Sequence, residues 1–220
     1  MKFDGQKIPQ NQDKIVAHYR QAFAKHGAVP AALFCPKGRQ NLRFGVLCEN
    51  LPTSGSVSIL DFGCGFGDMS AFVAASRPGL QIDYLGVDIV PEFIQEAKFR
   101  YPTQSFSCDS DFFLHASSFD YVFVSGAFNL RYIDDVERNE GYIFSLLSKL
   151  FDIAQVELVV DFMRTRVDFR QPEAHHQNLE TLLEFAEKSL TRYFKVDASY
   201  LPYEYCLHLF RGEPSGAADD

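Results

Sequence analysis

The sequence predicts an α/β fold, a mostly parallel sheet with helices on both faces, finished by an antiparallel hairpin. Three observations predict it. Short apolar runs alternate with stretches of helical spacing from residue 57 to residue 163, the pattern of a parallel sheet whose crossovers are helices. The first run, SILDF, ends at Asp61 and Phe62 and meets glycines at 63, 65 and 67. At the far end, RYFKVDASYLPYEYCLHLFR holds two strands around Leu201-Pro202, and so short a connection demands an antiparallel pair.

The elements follow in order. QDKIVAHYRQAFAKH, residues 12–26, places apolar side chains at 15, 16, 19, 22 and 23, which is helical spacing; Gly27 and Pro30 stop it. A second helix is expected over 38–50, before the break LPTSGS, and residues 1–50 together form an N-terminal helical cap. VSILDF (57–62) is a buried strand and DMSAFVAASR (68–77) a helix. IDYLGVDI (82–89) is the second strand, and Pro91 suits the first turn of the helix PEFIQEAKFR. SFSCD (105–109) and FDYVFVSG (119–126) are strands three and four. Residues 136–150 then form a helix, VELVVDFM (156–163) strand five and NLETLLEFAEKSL the last helix. The main domain runs over 51–212, and residues 213–220, EPSGAADD, form a flexible acidic tail.

At 220 residues, 46% hydrophobic and 23% charged, the chain suits one sizeable globular domain. A formal net charge of −8 repels polyanions, so nucleic acid is not an expected partner. No apolar run reaches the ~18 residues of a membrane span, and the polar start MKFDGQKIPQ lacks a signal-peptide core. Cysteines at 35, 48, 64, 108 and 206 are odd in number and form no C-x-x-C pair. That argues for reduced thiols in the cytoplasm and against a zinc site.

The glycine run departs from the dinucleotide fingerprint G-x-G-x-x-G. Its third glycine comes one residue early, and Asp68 stands where that glycine belongs. Asp61 and Asp68 thus flank the loop, where they would repel a pyrophosphate by roughly 1 kcal/mol or more each. A ligand carrying an ammonium and a sulfonium, such as S-adenosylmethionine, is favoured instead. Downstream, Asp88 ends the second strand 25 residues after Gly63, where it can take both ribose hydroxyls. Asp109, with Ser110 beside it, can accept from the adenine amine, and Ile89 can pack on the adenine face. Each Asp after a strand is otherwise a helix N-cap.

DFGCGFG, LGVDI, SCDSD and FDYVFVSGAFN together resemble the class I S-adenosylmethionine-dependent methyltransferases, most strongly over 57–161. The segment HYRQAFAKHG…PKGRQNLRF is similar to the leader of a group of small bacterial methyltransferases whose substrates are mostly unassigned. The resemblance implies a Rossmann-like three-layer sandwich with a seven-stranded sheet and its last strand reversed. It implies that S-adenosylmethionine lies across the carboxyl ends of strands one to three, cradled by Gly63, Cys64, Gly65 and Gly67, and leaves as S-adenosylhomocysteine. Ser125 and Gly126 would line its methionine part, with Phe128 and Asn129 toward the acceptor. An N-P-P-Y or D-P-P-Y run is absent, and Ser125 stands where a magnesium-dependent enzyme would carry an Asp, so no metal is expected.

Two basic clusters stand out, Lys37, Arg39 and Arg43 in one and Arg164, Arg166 and Arg170 in the other. Arg43 is expected to hold the donor's carboxylate, and Arg164 and Arg166 an anionic acceptor group. His175 and His176 are candidate general bases, with Asn129 beside them as a catalytic candidate. Tyr203 and Glu204 are weaker candidates of that kind. Tyr19 can close over the donor, and Cys64 fills space in the loop.

The expected function is methyl transfer to a small-molecule acceptor, O-methylation before N-methylation. The acidic charge and the enclosing cap argue against a macromolecular substrate, although a methyltransferase acting on protein or RNA would keep the same donor motifs. An NAD(P)-dependent oxidoreductase is disfavoured by Asp68, and a non-catalytic donor-binding protein is the remaining alternative. The apolar N-terminal helices can also serve a homodimer.

Overall fold

The structure, a computed structural model, describes residues 10–108 and 118–213. Seven strands form one sheet in the order β3-β2-β1-β4-β5-β7-β6. They are β1 (Ser54–Phe62), β2 (Gly79–Val87), β3 (Ser105–Ser107), β4 (Phe119–Val124), β5 (Ala154–Met163), β6 (Phe194–Asp197) and β7 (Glu204–Phe210). The first five are parallel to one another. Only β7 runs against its neighbours β5 and β6, so the sheet is the mixed one that the alternation and the terminal hairpin predict.

Local chemistry sets most element ends. Helix α1 (Gln12–His26) buries Ile15 and Ala22, and stops at Gly27, whose φ of 70° takes it out of the helix. A 3-10 turn, Pro30–Leu33, follows. Helix α2 spans Arg39–Leu47, shorter than expected, because residues 48–51 tighten into i→i+3 turns (Glu49 N to Val46 O, 3.2 Å; Leu51 N to Cys48 O, 3.2 Å). Helix α3 (Asp68–Ser76) starts at the glycine loop, and α4 (Pro91–Arg100) takes Pro91 at its first turn. Helix α5 (Val136–Ile153) is capped by Asp135, whose side chain accepts from Arg138 N at 2.8 Å. Helix α6 (Leu179–Ser189) is capped the same way by Asn178.

Two apolar layers sandwich the sheet. On one face Phe44 and Leu47 of α2, Val73 of α3 and Ile94 and Ala97 of α4 pack against Ile59, Tyr121, Phe123 and Val159. On the other, Ile143, Leu147 and Leu150 of α5 and Leu182 and Ala186 of α6 cover Leu60, Val122, Leu158 and Val160. Helix α2 therefore belongs to a flanking layer, not to a cap. The cap proper is α1 with the 3-10 turn, whose Ala32, Val16 and Phe23 join Phe66, Val90 and Phe93 in a small cluster of their own. Asn11 N to Tyr132 O (2.9 Å) and Arg20 to Glu92 (2.7 Å) tie it down.

Packing beneath the glycine loop is tight. A Cβ at Gly86 on β2 would stand 2.7 Å from Phe106 Cδ1 and 2.8 Å from Cys64 Sγ, whereas at Gly45 within α2 it would meet nothing within 4 Å. Gly86→Ala is expected to cost about 1–3 kcal/mol by overpacking, lowering the ligand-free melting temperature by roughly 2–12 °C. Gly45→Ala is expected to hold or raise it, because alanine restricts the unfolded chain and suits a helix. Calorimetric melting of the two variants checks both signs.

Candidate functional site

Strand order reverses between β1 and β4, and such a switch point opens a crevice at the strands' carboxyl ends. The glycine loop crosses that crevice. Gly63, Gly65 and Gly67 have φ of 80°, 55° and 76°, all left-handed. A Cβ at Gly63 would lie 2.5 Å from that of Ala127, and one at Gly65 would lie 3.0 Å from Leu33 in the cap. Backbone N–H groups of Gly63 and Cys64 donate to Val87 O at 2.8 and 3.0 Å. The Asp88 carboxylate accepts from Gly65 N and from Val90 N, each at 2.9 Å. One side chain thus staples the loop to the start of α4. Burial pushes the Asp88 carboxyl up to about 6, against those two backbone hydrogen bonds.

Asp61 lies beneath the loop, only 2% exposed. Its Oδ2 accepts from the Tyr84 hydroxyl at 2.5 Å, while its Oδ1 is buried with no partner. Burial pushes this carboxyl up to about 7, with the Tyr84 hydrogen bond opposing. An unpaired carboxylate oxygen in a cavity wall is a site for a donor, best of all a cation.

Over this cradle stands a cavity of about 1310 Å³. Its floor is Asp61, Gly63–Gly65, Asp88, Ile89, Ser125, Gly126 and Asn129, and its roof is Ile15, His18 and Tyr19 of α1 with Leu33–Pro36. Burial drives the Tyr19 hydroxyl upward, so it stays protonated. The chamber runs on past Met163, Val167–Phe169, His176 and Tyr203.

Arg43 holds the side wall together. Its Nε and Nη2 donate to the two Glu204 oxygens at 2.6 Å each, and Nε lies 3.4 Å from Asp161 Oδ2. Asp161 Oδ1 in turn accepts from Gly126 N at 2.6 Å. Burial raises the Asp161 carboxyl to about 6, with Arg43 pulling it down. Asp161 was not singled out from the sequence. The available signal was a carboxylate inside the apolar run LVVDFM, since a charge buried in a strand needs a partner.

Most of the expected donor residues therefore gather at one cavity: Tyr19, Arg43, Asp61, Gly63, Cys64, Gly65, Asp88, Ile89, Ser125 and Gly126. Asn129 and His176 join them on the acceptor side. Asp109 and Ser110 lie outside the described residues. Five other readings change. Asp68 does not line the cavity; it accepts from Tyr101 at 2.9 Å and pairs with Arg100 at 3.2 Å, so its charge is spent outside the loop. Gly67 sits behind the loop, where a Cβ would strike Phe106 at 2.6 Å. Phe128 is fully buried and stacks on Phe162, a core residue and not an acceptor contact.

The histidine pair splits. His175 is buried, with Asn139 Nδ2 3.2 Å from its Nδ1 and Gln177 Oε1 3.0 Å from its Nε2. Burial lowers its pKa, so it is a neutral core histidine with both nitrogens engaged. Arg164 and Arg166 line a different cleft of about 420 Å³ beside the start of α6, and Arg164 Nη2 donates to Glu204 O at 2.9 Å. Neither reaches the large cavity. Among the described residues, no group of three His, Cys, Asp or Glu side chains could hold a metal ion, and no helix is long and apolar enough to cross a membrane.

The raised carboxyls predict a pH dependence. A carboxyl whose folded pKa exceeds its unfolded value of about 3.9 binds an extra proton when folded, so its contribution to stability falls as pH rises. For Asp61 the window runs from about pH 4 to about 7. Asp61→Asn keeps an acceptor for Tyr84, and is expected to flatten that fall and to melt no lower than wild type at pH 7.5. Thermal melts of both proteins between pH 4.5 and 7.5 check it.

Comparison with known proteins agrees with the geometry. Residues 59–149 match the family model described as a methyltransferase domain. Rv1506c of Mycobacterium tuberculosis H37Rv, provisionally named a methyltransferase, is 35% identical over 77 residues, 34% of this chain and 43% of that protein. The match thus spans less than half of that curated relative. The magnesium protoporphyrin IX methyltransferase of Synechocystis PCC 6803, solved with bound S-adenosylmethionine, superposes with a TM-score of 0.54 at 17% identity, covering 95% of this chain and 86% of that one. The cyclopropane synthase MmaA2 of Mycobacterium tuberculosis gives 0.62 at 12% identity, over 87% and 77%. The [4+2]-cyclase SpnF gives 0.53 at 18% identity, over 71% and 57%. At such identities the structures speak for the fold alone. Residues 59–149 thus match a methyltransferase domain, and the seven-stranded sheet has the fold of the solved methyltransferases it superposes on.

Proposed function

We propose that the chain transfers a methyl group from S-adenosylmethionine directly to a small-molecule acceptor, leaving S-adenosylhomocysteine. One observation carries this reading: Asp61 and Asp88 line a glycine-loop cradle with an unpartnered carboxylate oxygen in its floor. That wall repels a pyrophosphate and suits a ligand with an ammonium. The sign argument made from Asp68 thus passes to Asp61 and Asp88.

The donor fits these residues. On this reading Asp61 takes its ammonium, Asp88 the ribose hydroxyls, Ile89 the adenine face, and Ser125 and Gly126 the methionine part; all five line the cavity. Arg43 keeps Nη1 free of Glu204 and can meet a carboxylate there. When bound, the donor supplies a methyl carbon activated by a sulfonium. The chain has only to position an acceptor, exclude water and take a proton where one is released.

A small acceptor is favoured because α1 and the 3-10 turn roof the cavity. Pockets for one drug-sized ligand run to about 300–1000 Å³, so about 1310 Å³ leaves room for donor and acceptor side by side. O-methylation is favoured over N-methylation because His176 reaches this chamber. The scattered free thiols favour the cytoplasm as the place of action.

Isothermal titration with S-adenosylhomocysteine, NAD and NADP tests the reading. Only S-adenosylhomocysteine is expected to bind, and Asp88→Ala, checked as folded by circular dichroism, is expected to bind it more than tenfold more weakly. Binding of NAD or NADP in its place would overturn the proposal.

A further inference from the structure

We propose that Tyr84 is a positioning residue for the donor: its hydroxyl holds one carboxylate oxygen of Asp61 and leaves the other for the donor's ammonium. This role rests on the methyl-transfer reading and falls to a residue outside the cavity lining.

Strand register puts the two side chains together. Asp61 of β1 pairs with Gly86 of β2, and Ile59 pairs with Tyr84. Positions two apart on a strand share a face, so Asp61 and Tyr84 stand on the same side of the sheet. Gly86 leaves the place opposite Asp61 without a side chain. Tyr84 is buried and meets the Phe106 ring edge to face at 5.8 Å. Its hydroxyl donates to Asp61 Oδ2 at 2.5 Å. A phenylalanine would fill the same space; what the hydroxyl adds is this bond.

The amides of the glycine loop are spent elsewhere, those of Gly63 and Cys64 on Val87 O and that of Gly65 on Asp88. Asp61 Oδ1 is left buried without a partner, in a residue that lines the cavity floor. Among the described residues, the charges acting on Asp61 are those of Asp88 and Asp68, both negative. From β4 its neighbour is the apolar Phe123. The thiols of Cys48, at the end of α2, and of Cys64 also act on it, and burial pushes both up, so they stay neutral. Burial keeps Tyr84 protonated in the same way. The chain thus supports this carboxylate with a neutral hydroxyl, and a cation must come from the ligand.

Two consequences follow for binding. A hydrogen bond to a carboxylate favours its charged form, which is the form that attracts an ammonium. Holding one oxygen also fixes the rotation of the group, so the second oxygen keeps one direction. Without the hydroxyl, the Asp61 carboxyl rises above its value of about 7. Near neutral pH it then carries a proton that an ammonium has to displace, and affinity recovers only as pH rises.

Isothermal titration compares S-adenosylhomocysteine with its deamino analogue, which has the same thioether and carboxylate but no ammonium. Wild type is expected to prefer S-adenosylhomocysteine, with the preference growing as pH rises through about 7. Tyr84→Phe is expected to cut that preference by about tenfold at neutral pH, the loss of a hydrogen bond to a charged group. It is expected to move the rise to higher pH and to leave the analogue's affinity within about twofold. Tyr84→fluorotyrosine, with fluorine ortho to a more acidic hydroxyl, is expected to move the rise to lower pH, and carries the test if Tyr84→Phe does not fold. Equal weakening of both ligands in Tyr84→Phe marks a role in packing alone and overturns the assignment. So does an unchanged preference in Tyr84→Phe, or a pH profile that fluorotyrosine leaves in place. A wild type that binds both ligands equally overturns it too, while the methyl-transfer reading stands. If wild type binds neither, that reading falls first and takes the role of Tyr84 with it.

Discussion

The side chain of Arg43 joins three walls of the cavity. It leaves α2, grips Glu204 at the start of β7 with two hydrogen bonds, and lies against Asp161 of β5. Asp161 then holds Gly126 in the turn after β4, so the position of that turn depends on a residue more than eighty places earlier. One guanidinium faces two carboxylates here, all largely out of water. Such a cluster contributes little net stability, because desolvation offsets most of the attraction. Removing the cation alone is costly, about 3–5 kcal/mol, because it strands buried charge. What the cluster supplies is geometry, a fixed relation between the helical layer, the sheet and the turn beside the donor cradle.

Asp88 supplies the corresponding constraint on the other side. By accepting from Gly65 and Val90 it fixes the loop after β1 to the element after β2, and the loop's left-handed glycines let the backbone pass close beneath Leu33. The cap closes the space from above through Tyr19 and Phe93, whose rings meet edge to face 5.7 Å apart. Between these fixed parts lies the switch point of the sheet, where a ligand meets the ends of two strands that diverge. Burial holds the carboxyls of Asp61 and Asp88 at raised pKa in the cavity floor, and a cationic partner would restore their charge.

Much of this was legible because it is local. Alternating apolar runs specify strands and crossovers without knowledge of partners. A glycine loop between a buried strand and a helix can occupy little else but a crevice, so Asp61, Gly63, Gly65 and Asp88 were readable from spacing. Side-chain partners that come from far along the chain were not. Asp68 looked like a charge on the loop until Arg100, 32 residues on, was found to neutralise it. His175 and His176 are adjacent, and only the path of the backbone decides that one enters the core and the other the cavity. Phe128 and the Arg164–Arg166 pair are misread for the same reason: a residue's place in a segment does not say which face it takes.

Hydrogen–deuterium exchange with and without S-adenosylhomocysteine tests most directly whether the donor lies between the glycine loop and the cap. Slower exchange is expected at residues 63–67 and 88–90 together with residues 15–35, because the ligand would tighten floor and roof at once. Binding that leaves the loop and cap unprotected, or that protects only a distant face of the sheet, would contradict the site.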